Sequence, residues 1–390
     1  MRLKSLLIAL SLCTAATAAI AAEPIGVRKI SVVTQDYPRP LAVTIWYPSK
    51  GDGQVDKPNY DRIFDTGSAA ANATIREGRF PLVLLSHGSG SRAEGMGWIA
   101  IELAKAGYIV AGPNHPGTTS GDSTPAATPK IWERTQDISV LIGALTTDAR
   151  WRASIDQKRI GILGFSLGGS TAMELAGAKG DLSAYTRYCD ENPGMMDCSW
   201  FAGGRGYAGG EQVDVAPFKL AEIDRIRFEQ QNRDARITSV IAVDPGLATT
   251  FQKTSLAGID VPVTLINLGS PGQVPMAVLS DQLAKDIPGA SYLQVEDADH
   301  FSFLPVCKPG ASDFLKSVGE TDPICEETKR PRADIHAELG RLIVEAFGRT
   351  LQPAIETMEG RDHRPSFIRS ACRRSSCRKS RPAAIAHNRE

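Results

Sequence analysis

Residues 159–175 read RIGILGFSLGGSTAMEL, and Ser166 lies between Gly164 and Gly168 at the end of an apolar run. The run before it is typical of a buried strand, and the residues after it are typical of a helix. Gly164, Ser166 and Gly168 fit the G-x-S-x-G pattern of a sharp strand-to-helix turn, where a Cβ at either glycine would collide with neighbouring backbone. The stretch therefore predicts a serine nucleophile at a helix N-terminus, with a turn that only packs a helix on a sheet as the alternative.

The sequence offers six histidines as the base that a serine nucleophile needs. For a serine on this kind of turn the expected chain order is serine, acid, histidine. His300 follows the last predicted strand in VEDADHFSFL and satisfies that order. His87 and His115 also follow strands, but they precede Ser166. The remaining three lie in the last predicted helix or the C-terminal tail: His336, His363 and His387. We therefore predict His300 as the base.

The acid that orients the histidine is expected at a strand end between Ser166 and His300. The strand ITSVIAVDPG ends directly in Asp244. The strand VPVTLINLGSPG has no carboxylate at its end, and Asp281 comes only in the following helical stretch. Asp244 is the preferred acid and Asp281 the second choice, while the alternative for Asp244 is a turn or helix-capping aspartate.

The tetrahedral intermediate of acyl transfer needs backbone donors where its oxyanion forms. One donor is expected from the residue after the nucleophile, Leu167, and the other from Ser89 in the glycine-rich SHGSG. A plain glycine-rich turn is the other interpretation of SHGSG. Residues predicted to contact substrate are His87, Gly88, Phe165, Trp200 and Phe201. Together with Met195 and Met196, the last two either line an acyl pocket or form the core of a cap.

The rest of the chain alternates strands and helices. RKISVVTQ and LAVTIWYPS indicate an antiparallel opening pair, and the later strand-helix-strand units indicate a mainly parallel sheet with helices on both faces. We expect one α/β domain over residues 23–352. Residues 180–235 interrupt the alternation and are predicted to form an inserted cap, in which residues 218–235 are charged and helical. Residues 353–390 are Arg- and Ser-rich without periodicity, which indicates a disordered basic tail.

The N-terminus reads MRLKSLLIALSLCTAATAAIAAEP, with two basic residues, an apolar stretch and a small-residue cleavage site before Ala22. This pattern predicts a signal peptide over residues 1–22 and a secreted or periplasmic protein without a transmembrane segment. Six cysteines remain after its removal, and in an exported chain such a set suggests disulfides. Proximity predicts the pairs Cys189/Cys198, Cys307/Cys325 and Cys372/Cys377.

The formal net charge of zero combines a basic tail with an acidic remainder. The last thirty residues carry nine Lys or Arg against Asp362 and Glu390. An acidic main domain argues against nucleic-acid binding, whose affinity comes from neutralised phosphates. The cysteine spacings do not fit a zinc site, so no metal is predicted. Small-molecule chemistry is the expected activity.

A family resemblance appears in six segments taken in order. They are VTIWYPS, LVLLSHGSG, AGYIVAGPNHPG, GFSLGG, IAVDPG and DADHFSF. Over residues 25–350 the chain resembles the bacterial predicted dienelactone hydrolases that are similar to plasma-type platelet-activating-factor acetylhydrolases. The resemblance implies an α/β-hydrolase fold and metal-free, cofactor-free serine esterase chemistry, with Ser166 as nucleophile, His300 as base and an acid that matches Asp244. True dienelactone hydrolases use a cysteine nucleophile, so dienelactone is not the expected substrate.

The sequence thus predicts an exported serine hydrolase of carboxylic esters, with a small ester or lipid as substrate. A phospholipid acetylhydrolase, a lipase or polyester hydrolase, and an amidase or peptidase stay open within the hydrolases. From a different class, a non-catalytic binding protein of the same fold stays open as well. The oligomeric state is not predicted.

Overall fold

The protein is built around one large twisted sheet. The computed structural model describes residues 24–34, 37–56 and 61–351. In this part of the chain ten strands form the sheet, in the spatial order β10-β9-β8-β7-β5-β6-β2-β1-β4-β3. The strands are β1 (Ile25–Thr34), β2 (Tyr37–Pro48), β3 (Gln54–Asp56), β4 (Ala69–Ala71), β5 (Phe80–Ser86), β6 (Ile109–Pro113), β7 (Ile155–Phe165), β8 (Ser239–Val243), β9 (Val263–Leu268) and β10 (Ser291–Val295).

The six strands from β10 to β6 in this order are parallel. Strands β1 and β2 are antiparallel to each other, and β2 is antiparallel to β6, so the predicted opening pair is confirmed. The chain runs from β5 to β6 on one side and returns to β7 on the other. Crevices at such a reversal, outside the carboxyl ends of the strands, are where open α/β sheets bind ligands.

Helices cover both faces of the sheet, as predicted. They are α1 (Gly97–Lys105), α2 (Ile131–Thr147), α3 (Leu167–Ala176), α4 (Leu182–Glu191), α5 (Met196–Trp200), α6 (Arg225–Phe228), α7 (Lys253–Leu256), α8 (Asp281–Asp286), α9 (Ala311–Ser317) and α10 (Arg332–Leu351). Residues of α2 and α3 belong to one buried apolar cluster, and residues of α1 and α10 belong to another. Strand β5 is buried at every residue, which fits its near-continuous apolar sequence. The predicted fold class, a mainly parallel α/β sheet, is confirmed.

The segment between α3 and β8 holds short elements. It contains α4, α5, a hairpin of Gly206–Ala208 and Glu211–Val213, and α6. The hairpin pairs with a second small hairpin, Thr118–Thr119 and Asp122–Ser123. The helix predicted over residues 218–235 is wrong in extent: only a 3₁₀ turn at Leu220–Glu222 and the single turn α6 form. Asp224 begins a new helix there by capping Arg227, which separates the two turns.

Two of the three predicted disulfides are present. Cys189 bonds Cys198 and joins α4 to α5, and Cys307 bonds Cys325 across the segment that contains α9. The third predicted pair, Cys372/Cys377, lies outside the described residues, as do the predicted signal peptide and basic tail. Within the described ranges, no helix combines the length and the apolar character needed to cross a membrane.

Helix α3 carries a buried acid that makes stability depend on pH. Glu174 is 1% exposed; one carboxyl oxygen accepts from Asn232 at 2.7 Å, and the other has no hydrogen-bond partner among the described residues. Burial raises the pKa of Glu174 to about 8. The folded protein therefore holds a proton here that the unfolded chain releases above its ordinary pKa, so stability falls as the pH rises toward 8.

We expect Glu174→Gln to remove this part of the pH dependence. One retained proton gives a limiting slope of about 1.4 kcal/mol per pH unit, so the advantage of the variant over the wild type grows between pH 5 and 8 and then levels off. Urea unfolding at a series of pH values measures it, with the exposed Glu191→Gln as the control. A wild type and Glu174→Gln variant with parallel pH profiles would show that Glu174 titrates normally.

Candidate active site

Ser166 lies at a strained turn between β7 and α3. Its φ and ψ are 55° and −121°, outside the regions that L-residues ordinarily adopt. The flanking glycines permit the turn: a Cβ on Gly164 would lie 2.0 Å from the carbonyl oxygen of Gly168, and one on Gly168 would lie 1.8 Å from that of Ser86. The close contact between α3 and the end of β5 is possible only without these side chains.

We expect Gly168→Ala to destabilise the protein by at least about 3 kcal/mol, because a backbone oxygen cannot move out of the way of the new methyl group as a flexible side chain would. Urea unfolding measures the change. Gly348→Ala is the matched control, since it adds the same methyl group to the interior of α10, where no atom of the described residues other than those of α10 itself lies within 4 Å of it. That variant should be stabilised by about 0.5–1 kcal/mol. Equal stabilities of the two variants would contradict the close packing of α3 on β5.

Three predicted residues, Ser166, Asp244 and His300, lie in one hydrogen-bonded line. His300 Nε2 is 3.1 Å from Ser166 Oγ, and His300 Nδ1 is 2.9 Å from Asp244 Oδ2. Asp244 follows β8 and is fully buried. Its second oxygen, Oδ1, accepts from Asn267 Nδ2 at 2.8 Å and from the Leu268 amide at 3.0 Å. These donors on β9 fix the carboxylate so that one oxygen faces the imidazole.

The ring of His300 is fixed from two sides. It begins the 3₁₀ turn His300–Phe303, which Asp299 caps in a reciprocal arrangement with Ser302. Its face stacks on Phe165, with ring centroids 4.8 Å apart. The structure thus places the predicted substrate contact Phe165 against the histidine, where it is buried and orients the ring. Asp281, the second choice for the acid, begins α8 and pairs with Lys285 instead.

The loop after β5 lies against the nucleophile turn. A Cβ on Gly88 would be 3.3 Å from the Ser166 Cβ, a tight contact that glycine avoids. The next residue, Ser89, is exposed. The amides of Gly90 and Ser91 bond the carbonyls of Thr118 and Gly88, whereas within the described part of the chain that of Ser89 bonds no protein acceptor. Leu167 is the first residue of α3, where amides have no acceptor within the helix.

The rings of the other described histidines, His87, His115 and His336, all contact protein groups. The His115 amide donates to His87 Nε2 at 3.1 Å, and His87 Nδ1 lies 2.7 Å from the Gly88 carbonyl. Burial, with Arg134 nearby, lowers the pKa of His87 and His115 well below the ordinary range, so both rings are neutral. His87 therefore helps to hold the loop that contains Gly88 and Ser89. The prediction that His87 contacts the substrate gains no support. His336 bonds the Ser302 carbonyl and stacks on Trp98.

Trp200 and Phe201, the two aromatic substrate contacts predicted in the segment between α3 and β8 (the inserted segment), differ in their surroundings. Trp200 is half-buried, and its Nε1–H donates to Thr128 Oγ1 at 2.9 Å. Phe201 is 6% exposed and contacts the rings of Tyr185 and Phe218, so it belongs to the core of the segment. Of the two methionines, Met196 is exposed and Met195 packs against the main apolar cluster.

Two partly buried carboxyl groups come from different segments. Burial raises the pKa of Asp197 on α5, and burial together with Glu320 raises that of Asp322. Glu320 also pairs with Arg205 at 3.6 Å, which joins the inserted segment to the segment closed by Cys307 and Cys325. Arg205 and Glu320 thus link two segments that each carry a carboxyl group with a raised pKa.

Sequence reasoning missed the buried polar residues that support this arrangement, notably Arg134, Asp137 and Asn267. Each is less than 3% exposed although its type is usually found at the surface. The sequence signal for the first two was weak, because Arg134 and Asp137 lie beside Glu133 in the charged and polar part of an amphipathic helix. Among the described residues, no group of three or more His, Cys, Asp or Glu side chains is arranged to hold a metal ion.

The comparisons with known proteins agree with this architecture. A family model described as the alpha/beta hydrolase family matches residues 82–306. The structure is similar to a ferulic acid esterase from Streptomyces cinnamoneus, with 19% sequence identity and a TM-score of 0.56 over 87% of this chain and 94% of the esterase. It is also similar to a dienelactone hydrolase-like promiscuous phosphotriesterase from metagenomic libraries, with 13% identity and a TM-score of 0.45 over 84% of this chain and 100% of the other. No curated protein matches the sequence.

Proposed function

Because this chain belongs to the alpha/beta hydrolase family, we propose that it hydrolyses carboxylic esters through a covalent acyl-enzyme on Ser166. The observation that carries the proposal is the line from Asp244 through His300 to Ser166, with heavy-atom distances of 2.9 and 3.1 Å. A nucleophile, its base and the group that orients the base are thereby within hydrogen-bond reach.

The mechanism follows from these contacts. His300 Nε2 takes the proton of Ser166 as Oγ attacks the ester carbonyl carbon, and the negative charge moves to the carbonyl oxygen. The amides of Leu167 and Ser89 stabilise that oxyanion. His300 then gives its proton to the leaving alcohol as the carbon–oxygen bond breaks. Water attacks the acyl-enzyme by the same proton transfers in reverse and releases the acid.

The site of action is proposed to be outside the cytoplasm. Two disulfides occur in the described chain, and such bonds persist in oxidising compartments. This agrees with the signal peptide predicted at residues 1–22.

Labelling with a fluorophosphonate tests the reaction class. We expect one adduct per chain, located on Ser166 by peptide mass analysis, and loss of hydrolysis in step with labelling. Absence of an adduct, with the protein folded, would contradict the proposal and favour a non-catalytic binding protein of this fold. A panel of aryl esters of increasing acyl length, a feruloyl ester, a phospholipid and an anilide then distinguishes esterase from phospholipase and amidase activity.

A further inference from the structure

Arg134 of α2 is a buried cation whose guanidinium reaches four acceptors on three separate segments. Its Nε donates to Thr171 Oγ1 at 3.1 Å on α3, and Nη1 donates to Thr118 Oγ1 at 2.6 Å on a small hairpin. Nη2 donates to Ser86 Oγ at 3.2 Å and also to the His87 carbonyl, both at the end of β5. The side chain is 2% exposed, so these bonds replace its hydration entirely.

Two of these acceptors lead directly to the amides assigned to the oxyanion. The His87 carbonyl lies two residues before Ser89, in the loop that carries the Ser89 amide. The Thr171 hydroxyl, which accepts from Arg134, donates to the Leu167 carbonyl at 3.1 Å and so holds the first turn of α3. One rigid guanidinium therefore spans the loop that carries the Ser89 amide and the helix turn that carries the Leu167 amide.

The other two acceptors, Thr118 Oγ1 and Ser86 Oγ, belong to residues that connect to the same loop through further contacts. The Thr118 carbonyl accepts from the Gly90 amide at 2.9 Å, so the hairpin bonded to Arg134 also contacts the loop beyond Ser89. Ser86 Oγ lies 3.0 Å from His115 Nε2, and His115 Nδ1 lies 2.8 Å from Asp137 Oδ2. Asp137 lies one turn later on the same helix, and its charge raises the pKa of Arg134 against the lowering by burial. The loop is thus held by hydrogen bonds both before Ser89, at Ser86 and His87, and after it, at Gly90.

We propose that Arg134 is a positioning residue of the oxyanion hole, which sets the separation of the Ser89 and Leu167 amides through the His87 carbonyl and the Thr171 hydroxyl. The inference rests on the proposed function. It predicts a kinetic effect that a residue needed only for folding would not have. An oxyanion exists only in the transition state and the tetrahedral intermediate, so a displaced amide lowers kcat and leaves KM unchanged.

The decisive variant is Thr171→Val, which keeps the shape of the side chain and removes one end of the bridge. We expect kcat to fall about tenfold with KM unchanged, since small misplacements of catalytic groups have effects of this order or larger. The inhibition constant of a trifluoromethyl ketone, whose adduct with serine carries the oxyanion, should rise by the same factor. The corresponding methyl ketone, which binds as an unreacted ground-state analogue, should be unaffected.

Thr135→Val is the matched control, because this similarly buried hydroxyl on α2 donates to the Trp132 carbonyl of its own helix. Arg134→Met should lower kcat about a hundredfold, as loss of an oxyanion donor does, and Arg134→Lys should recover part of that loss. A Thr171→Val variant that matches Thr135→Val, or that raises KM and spares kcat and the trifluoromethyl ketone, would overturn the proposal. Fluorophosphonate labelling of the wild type is read first: its absence would contradict the serine mechanism itself, whereas labelling with unaltered variants would contradict only the role of Arg134.

Discussion

Ser166→Ala is expected to lower kcat for a short-chain aryl ester by at least about 10⁴, because no other group can form the acyl-enzyme once Oγ is removed. The remaining hydrolysis would come from bound substrate and the amides of Leu167 and Ser89, with water as the nucleophile. Steady-state kinetics with the disulfides intact measure the change. Fluorophosphonate labelling should disappear in the same variant.

The same substitution should leave the fold unchanged. Alanine at this position has the same positive φ as serine, and the hydroxyl contacts His300 rather than the core. We therefore expect the free energy of unfolding to change by less than about 1 kcal/mol. Ser139→Ala, which removes a hydroxyl that bonds Asp234, is the control for loss of a serine as such. Near-normal turnover by folded Ser166→Ala would refute the mechanism.

The strands and the order of the candidate residues were predictable from local patterns. Parallel strands bring their carboxyl ends to one edge, so Ser166 after β7 and Asp244 after β8 had to lie near each other once both strands were recognised. The glycines around Ser166 have a physical cause that is visible in the sequence, because only glycine fits where α3 meets β5. Close packing of this kind restricts the residue type at the contact, and the restriction is therefore visible in the sequence.

The interior of the inserted segment was less predictable. Residues 218–235 have the composition of a helix, yet only Leu220, Ile223 and Phe228 are buried there. Helix propensity is a weak preference, and Asp224 and its cap divide the stretch into two separate turns. Tertiary contacts, rather than helix propensity, therefore determined the secondary structure of residues 218–235.

Arg134 shows a second limit. In the sequence IWERTQDISVL the charged residues read as the exposed side of an amphipathic helix, and periodicity gives no information about the loops that cover that side. In the structure the ends of β5 and of a small hairpin close over Arg134 and Asp137, and both become buried. Long-range loop placement of this kind has no local signature.

Asp244→Asn is the second substitution with a large expected effect. Asp244 Oδ1 accepts from Asn267 and from the Leu268 amide, while Oδ2 faces His300 Nδ1. An asparagine amide cannot serve both sides. If its oxygen keeps the two donors of β9, its NH₂ group faces His300 and reverses the imidazole tautomer, so Nε2 carries a proton and cannot take the one of Ser166.

The expected loss in kcat for Asp244→Asn is about 10⁴, as in other triads where an aspartate-to-asparagine change reverses the tautomer. Asp281→Asn is the matched control, because this carboxylate is part-exposed and pairs with Lys285 one turn later. That variant should lose about 0.3–0.5 kcal/mol of stability and keep its kcat. Steady-state kinetics and urea unfolding on both variants separate a catalytic loss from a folding one. A comparable fall in kcat for Asp281→Asn, or a folded Asp244→Asn with near wild-type turnover, would show that Asp244 does not orient His300.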